Sequence, residues 1–122
     1  MPTVLIVEDN QLNQHLLTDV LLSAGYQVLS ACNGKTALHH LKNKAFKPSL
    51  VITDKNLPDI SGILLAQKGQ KLLHLKHTDW ILITGETLTL KEQKALSRYF
   101  KKILLKPIDI PLLLDCLPPT HR

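Results

Sequence analysis

Apolar residues along this chain follow two alternating rhythms. Short apolar-rich runs occur at Val4-Leu5-Ile6-Val7, at residues 26–31, at Leu50-Val51-Ile52 before Thr53-Asp54, at Trp80-Ile81-Leu82-Ile83 before Thr84, and at 102–105. Each is too short for a buried helix and is bounded by turn formers, which predicts strands covered on both faces. Between them the apolar positions take helical spacing: Leu12, Leu16, Leu17, Val20 and Leu21; Ala37, Leu38, Leu41 and Ala45; Leu64, Leu65, Leu72 and Leu75. Asn10 is placed to cap the first helix and Gly25 to stop it, and Asn33-Gly34 reads as a turn. Gly69 interrupts the third helix. Thr89 with Glu92 has the spacing of a capping box opening a fourth helix, and Asp109-Ile110-Pro111 opens a fifth that Pro118-Pro119 ends. Trp80 and the leucine stripes are expected to be core.

Five strands alternating with five helices predict an α/β fold with a doubly wound parallel sheet. Strand order 2-1-3-4-5 is one of its two common forms, and ligands of such sheets bind at the carboxyl ends of the strands. With 122 residues and no repeat or linker, the chain is expected to be one domain spanning 1–122 with no output domain. No apolar run approaches the ~20 residues needed to cross a bilayer. Met1-Pro2-Thr3 opens no secretory signal. Cys32 and Cys116 form no disulfide or zinc pattern, so a reduced, cytoplasmic setting is expected.

The formal charge of +5 raises nucleic acid as a partner. The basic residues are scattered, however, and the densest group, Lys91, Lys94, Arg98, Lys101 and Lys102, reads as a solvated face. Direct nucleic-acid binding is not expected. His15, His39, His40, His74, His77 and His121 lack companion ligands and read as ordinary histidines.

The chemistry lies at the strand ends. The first strand closes on Glu8-Asp9, the third on Asp54, the fourth on Thr84 and the fifth on Lys106-Pro107. In order 2-1-3-4-5, Glu8, Asp9 and Asp54 share one crevice. Their mutual repulsion is relieved by a hard divalent ion such as Mg²⁺, which keeps waters and phosphate oxygens in its shell. Asp9 and Asp54 are the candidate direct ligands, Glu8 acts through water, and the Asn56 backbone carbonyl can add another oxygen. Thr84 offers a hydroxyl and Lys106 a point charge for phosphate. Together these make a phosphoryl-transfer site, in which the central carboxylate, Asp54, is the candidate nucleophile.

Val7-Glu8-Asp9-Asn10, Asp54 with Leu57-Pro58 and Gly62 behind it, Thr84-Gly85 and Lys106-Pro107 resemble, in order and over essentially the whole chain, the response-regulator receiver domain of two-component signalling. That family has the flavodoxin-like sheet, and receiver proteins are among the standard examples of its strand order. The resemblance implies that Asp54 accepts a phosphoryl group from a histidine kinase or histidine phosphotransfer protein. It implies Mg²⁺ on Asp9, Asp54 and the Asn56 carbonyl with Glu8 in support, Thr84 and Lys106 on the phosphoryl oxygens, and a cis Lys106–Pro107 bond. Glu86 and Asn56 fall where the family tunes hydrolysis of its acyl phosphate. Activity would be limited to self-phosphotransfer and autodephosphorylation, output to protein–protein contact with a downstream target, and assembly to a monomer or a weak phosphorylation-dependent dimer. Residues 7–14 are most similar to receivers of hybrid kinases and to stand-alone phosphorelay receivers.

Four departures bear on output. Ile103 stands where the family often carries an aromatic, Tyr99 and Phe100 replace small residues, Lys55 adds a cation beside Asp54, and the closing helix is short. A receiver-like binding scaffold with altered switching, a receiver excised from a hybrid histidine kinase, and a small Mg²⁺-dependent phosphohydrolase are the alternatives. Nucleotide or flavin binding is disfavoured because no Gly-rich loop follows the first strand.

Overall fold

The computed structural model describes residues 2–119; Met1 and residues 120–122, including His121, lie outside it. Strands β1 (Thr3–Val7), β2 (Gln27–Ala31), β3 (Leu50–Asp54), β4 (Asp79–Thr84) and β5 (Lys102–Leu105) alternate with helices α1 (Gln11–Ser23), α2 (Gly34–Lys42), α3 (Gly62–Gly69), α4 (Leu90–Leu96) and α5 (Ile110–Asp115). All strand pairs are parallel and the order is β2-β1-β3-β4-β5, the expected doubly wound, flavodoxin-like sheet. The register sets Val7 beside Thr53, Asp54 beside Ile83 and Thr84 beside Leu105, so the carboxyl tips finish level.

Strand residues alternate between two cores. Val4, Ile6, Leu50, Ile52, Ile81, Ile83 and Leu104 pack with Leu17 and Leu21 of α1 and Leu113 of α5. Leu5, Val7, Val51, Trp80 and Leu82 pack with Ala37 and Leu41 of α2 and Leu65 and Ala66 of α3. Burial of these side chains at ~25 cal/mol per Å² is what holds helices of six to thirteen residues that would be marginal alone.

Local signals act largely as expected. Asn10, Thr89 and Asp109 cap α1, α4 and α5, the Thr89–Glu92 box is complete, and Pro111 lies in the first turn of α5. Gly25 takes φ 96°, and the Gly25 and Tyr26 amides donate back to the Leu22 and Leu21 carbonyls, which closes α1 in a Schellman motif.

Several details differ from expectation. Leu12 and Leu16 lie off the buried stripe of α1, 81% and 48% exposed, because the core-facing arc is only wide enough for Leu17, Leu21 and part of Val20. Asn33-Gly34 is not a free turn but the cap and first residue of α2. That helix ends at Lys42, leaving Ala45 exposed, and Phe46 folds back on the core instead. Helix α3 stops at Gly69, and Leu73–Leu75 forms a separate 3₁₀ turn. Gly69 is a close-approach position: a Cβ there would lie 2.7 Å from the Trp80 ring. Helix α5 ends at Asp115, before Pro118-Pro119. No helix among the described residues is long and apolar enough to cross a membrane.

Candidate functional site

The sheet brings the strand-end residues together. Carboxylate oxygens of Glu8, Asp9 and Asp54 all lie within 4.8 Å of one another, with Glu8 and Asp54 buried and Asp9 exposed. Lys106, delivered by β5, reaches across to donate to Asp54 Oδ2 at 2.6 Å and lies 3.3 Å from Glu8 Oε1. The Lys106–Pro107 peptide is cis, as expected. Asn56 sits two residues past Asp54, and its amide donates to Asp54 Oδ1 at 3.1 Å. Thr84, fully buried, accepts the Glu86 amide at its hydroxyl at 3.0 Å.

Other groups hold these in place. Asn13, one turn into α1, donates to Glu8 Oε1 at 3.0 Å, and Gln14 donates to the Glu8 carbonyl at 3.0 Å. The sequence assigns neither of them a role; their signals are a place on the first turns of a helix leaving the acid pair and membership of the 7–14 stretch that resembles phosphorelay receivers. Gly62 lies beneath Asp54, where a Cβ would come within 2.1 Å of the Asp54 carbonyl oxygen. At the rim, Lys55 pairs with Glu86 at 3.3 Å and Asn56 donates to Glu86 at 2.9 Å, so the cation beside the central acid is neither free nor merely solvated.

Electrostatics follow from this crowding. Burial, and then the closeness of Asp54, push the Glu8 carboxyl above its ordinary pKa; Asn13 and Lys106 offset only part of that. Burial works against the Lys106 charge, but the hydrogen bond to Asp54 and the charges of Glu8 and Asp54 outweigh it, so its pKa is raised. Glu86 is lowered, first by the Asn56 hydrogen bond and then by Lys55. Glu8 Oε2 is buried with no hydrogen-bond partner. An orphaned carboxylate oxygen beside two further carboxylates is a donor set suited to a hard divalent cation.

The remaining candidates lie elsewhere. Lys91, Lys94, Arg98, Lys101 and Lys102 are exposed, and Lys101 pairs with Asp79 at 3.5 Å. Among the described residues the histidines join no cluster of metal-ligating side chains. His74 bonds the Leu41 carbonyl at 2.7 Å. A cleft of about 420 Å³ lined by Lys76, Trp80, Arg98 and Lys101 lies at the opposite end of the sheet from the acids.

The family model for the response regulator receiver domain matches residues 4–117. The chain belongs to the response-regulator receiver family. The polar-differentiation response regulator DivK of Brucella anthropi is 28% identical over 115 residues, which cover 94% of this chain and 92% of that one. The chemotaxis response regulator CheY4 of Vibrio cholerae superposes with a TM-score of 0.82 at 28% identity, covering 94% of each chain. The signal receiver domain of a signal transduction histidine kinase from Syntrophus aciditrophicus gives 0.82 at 25% identity, covering 94% and 86%. This receiver therefore resembles both response regulators and a domain drawn from a kinase.

Proposed function

We propose that this receiver is a phosphoacceptor of two-component signalling: Asp54 takes a phosphoryl group from a histidine kinase or histidine phosphotransfer protein and signals through protein contacts. The observation that carries this is the meeting of Glu8, Asp9 and Asp54 within 4.8 Å under the Lys106 ammonium, with one Glu8 oxygen left unpartnered. Asp9, Asp54 and the Asn56 carbonyl are the proposed ligands of Mg²⁺, with Glu8 in support. Bound there, the ion would supply positive charge to offset the negative charge developing on the phosphoryl oxygens.

The chain's own groups do the rest. An Asp54 carboxylate oxygen forms the new bond to phosphorus while the bond to the donor imidazole nitrogen breaks, and the imidazole leaves to take up a proton. Lys106, now ion-paired with Asp54, moves its charge to a phosphoryl oxygen, and Thr84 donates its hydroxyl to another. Asn56 and Glu86, hydrogen-bonded to each other at the rim, are the side chains proposed to tune hydrolysis of the product. The setting proposed is cytoplasmic, without direct contact to nucleic acid or membrane, and turnover of outside substrates is not part of the function.

A second reading, a receiver-like scaffold with altered switching, is favoured by one feature. Ile103 is half-buried beside a hollow of about 130 Å³ lined with Leu88, Gln93 and Leu105, so no ring is present there to swing. Incubation with acetyl phosphate and Mg²⁺ followed by intact mass measurement tests the first reading. One phosphoryl group is expected on the wild type and none on Asp54→Asn. A wild type that gains nothing, or label that persists in the variant, rejects it. Turnover of a phosphomonoester beyond one equivalent would instead support a phosphohydrolase.

A further inference from the structure

Asp59 lies in the loop between β3 and α3, three residues past Asn56, and its carboxylate is committed to another element. Its Oδ1 accepts the Gly34 amide at 2.8 Å and its Oδ2 the Lys35 amide at 2.7 Å, the first two amides of α2. The Ile60 amide adds a third bond at 2.8 Å. Asn33 caps the next amide of the helix, Thr36, at 2.7 Å. The free N–H groups that open α2 are thus divided between its own cap and an acid from a distant loop.

The fit is close. A Cβ on Gly34 would stand 2.3 Å from Ile60 Cγ1 and 3.3 Å from Asp59 Oδ1, so only glycine lets the loop reach the helix. At its other end the loop is fixed to the site: Asn56 donates to Asp54 Oδ1, Gly62 donates to the Lys55 carbonyl at 2.8 Å, and Asn56 bridges Ser61. Leu57 and Ile60 rest half-buried against the core, while Asn56, Pro58, Asp59 and Ser61 are exposed, so between its apolar anchors the segment depends on hydrogen bonds for its position.

We propose that Asp59 is a positioning residue which, given the phosphoacceptor role above, clamps the 55–61 loop to the start of α2 and so presents the Asn56 carbonyl to the divalent cation. The clamp acts at a distance, through backbone, on a ligand contributed by backbone. Side-chain ligands on the strand tips need no such support, whereas a carbonyl in an exposed loop does.

The test compares wild type, Asp59→Ala and Asp59→Asn in three measurements: exchange of the Gly34 and Lys35 amides, the Mg²⁺ midpoint read from amide shifts of residues 54–56 without phosphodonor, and acetyl phosphate labelling against Mg²⁺. Asp59 is exposed, so neither variant removes core. The alanine variant is expected to lose protection at 34 and 35 and to need roughly tenfold more Mg²⁺. Asparagine, which keeps one acceptor oxygen, should fall between. Labelling at saturating Mg²⁺ should match wild type in both. An unchanged Mg²⁺ midpoint in Asp59→Ala, despite faster exchange at 34 and 35, would reduce Asp59 to a helix cap and overturn the proposal. A wild type that binds Mg²⁺ without taking phosphate would reject the function, and the midpoint comparison would still decide the clamp. A wild type with no Mg²⁺ response would overturn both.

Discussion

A buried carboxylate oxygen with no partner is costly, and Glu8 carries one within reach of two other acids. Replacing Glu8 by Gln removes the charge, keeps an acceptor for Asn13 and offers Asp54 a donor where the native acid only repels. Without divalent ions, Glu8→Gln should therefore stabilise the fold by about 1 kcal/mol, or roughly 4 °C in Tm, while weakening Mg²⁺ binding. The sign of the pH dependence follows from the raised Glu8 pKa. A group raised above its unfolded value of ~4.3 favours the native state most when protonated, and that contribution is lost as pH rises through the folded value. The stability gap between variant and wild type should then be small at acid pH and widen towards neutrality in EDTA. Thermal melts across that range check it; a gap that is constant with pH would mean the charge of Glu8 is not the source. This acid and its neighbours Asp9 and Asp54 could be singled out in the sequence because all three sit at strand ends. Asn13 could not, since a polar residue on an exposed helix turn carries no mark of what it will touch.

Elements were legible where one signal dominates and obscure where tertiary packing decides. Capping residues, the Gly25 stop and the buried runs specify their elements locally, and connection rules narrow the sheet to the doubly wound form, of which order 2-1-3-4-5 is one of two common versions. The width of the buried arc on α1 depends on how the helix sits against the sheet, which Leu12 and Leu16 do not report. Gly69 looked like a weakness in a longer helix, but in space it is the surface on which the Trp80 ring rests. Two glycine substitutions separate such roles. Gly69→Ala places a Cβ 2.7 Å from ring carbons of Trp80, a side chain that can shift, and should cost about 1–3 kcal/mol. Trp80 is the single tryptophan, so its emission should change with the melt while phosphoryl labelling persists. Gly62→Ala meets the Asp54 carbonyl at 2.1 Å, backbone against Cβ, and relief must come from the strand tip itself. It should lose labelling as well as stability. If Gly62→Ala labels like wild type, the strand tip tolerates displacement and the tight seat under Asp54 is not functional.

At the scale of the whole molecule, a chain of formal charge +5 concentrates three carboxylates at one end of its sheet. Scattered surface lysines act over distances that salt screens within ~8 Å at physiological ionic strength, whereas the acids interact at under 5 Å in a partly buried crevice. Local repulsion therefore dominates over the favourable net field, and the fold is expected to be strained at this end until a cation arrives. Lys106 answers part of the charge, but one ammonium faces Glu8 and Asp54 together and leaves Asp9 to solvent. A ligand that binds only the folded state adds RT ln(1 + [L]/Kd), or about 2.7 kcal/mol at a hundredfold excess over Kd. Mg²⁺ should thus raise the melting temperature in a saturable way, and KCl at matched ionic strength should not. Asp9→Ala should abolish most of that shift while leaving the core intact, because Asp9 is exposed and contributes a ligand rather than packing. If KCl reproduces the effect, or Asp9→Ala retains it, the stabilisation is general screening of surface charge and the acids at the strand tips are not acting as a divalent-ion site.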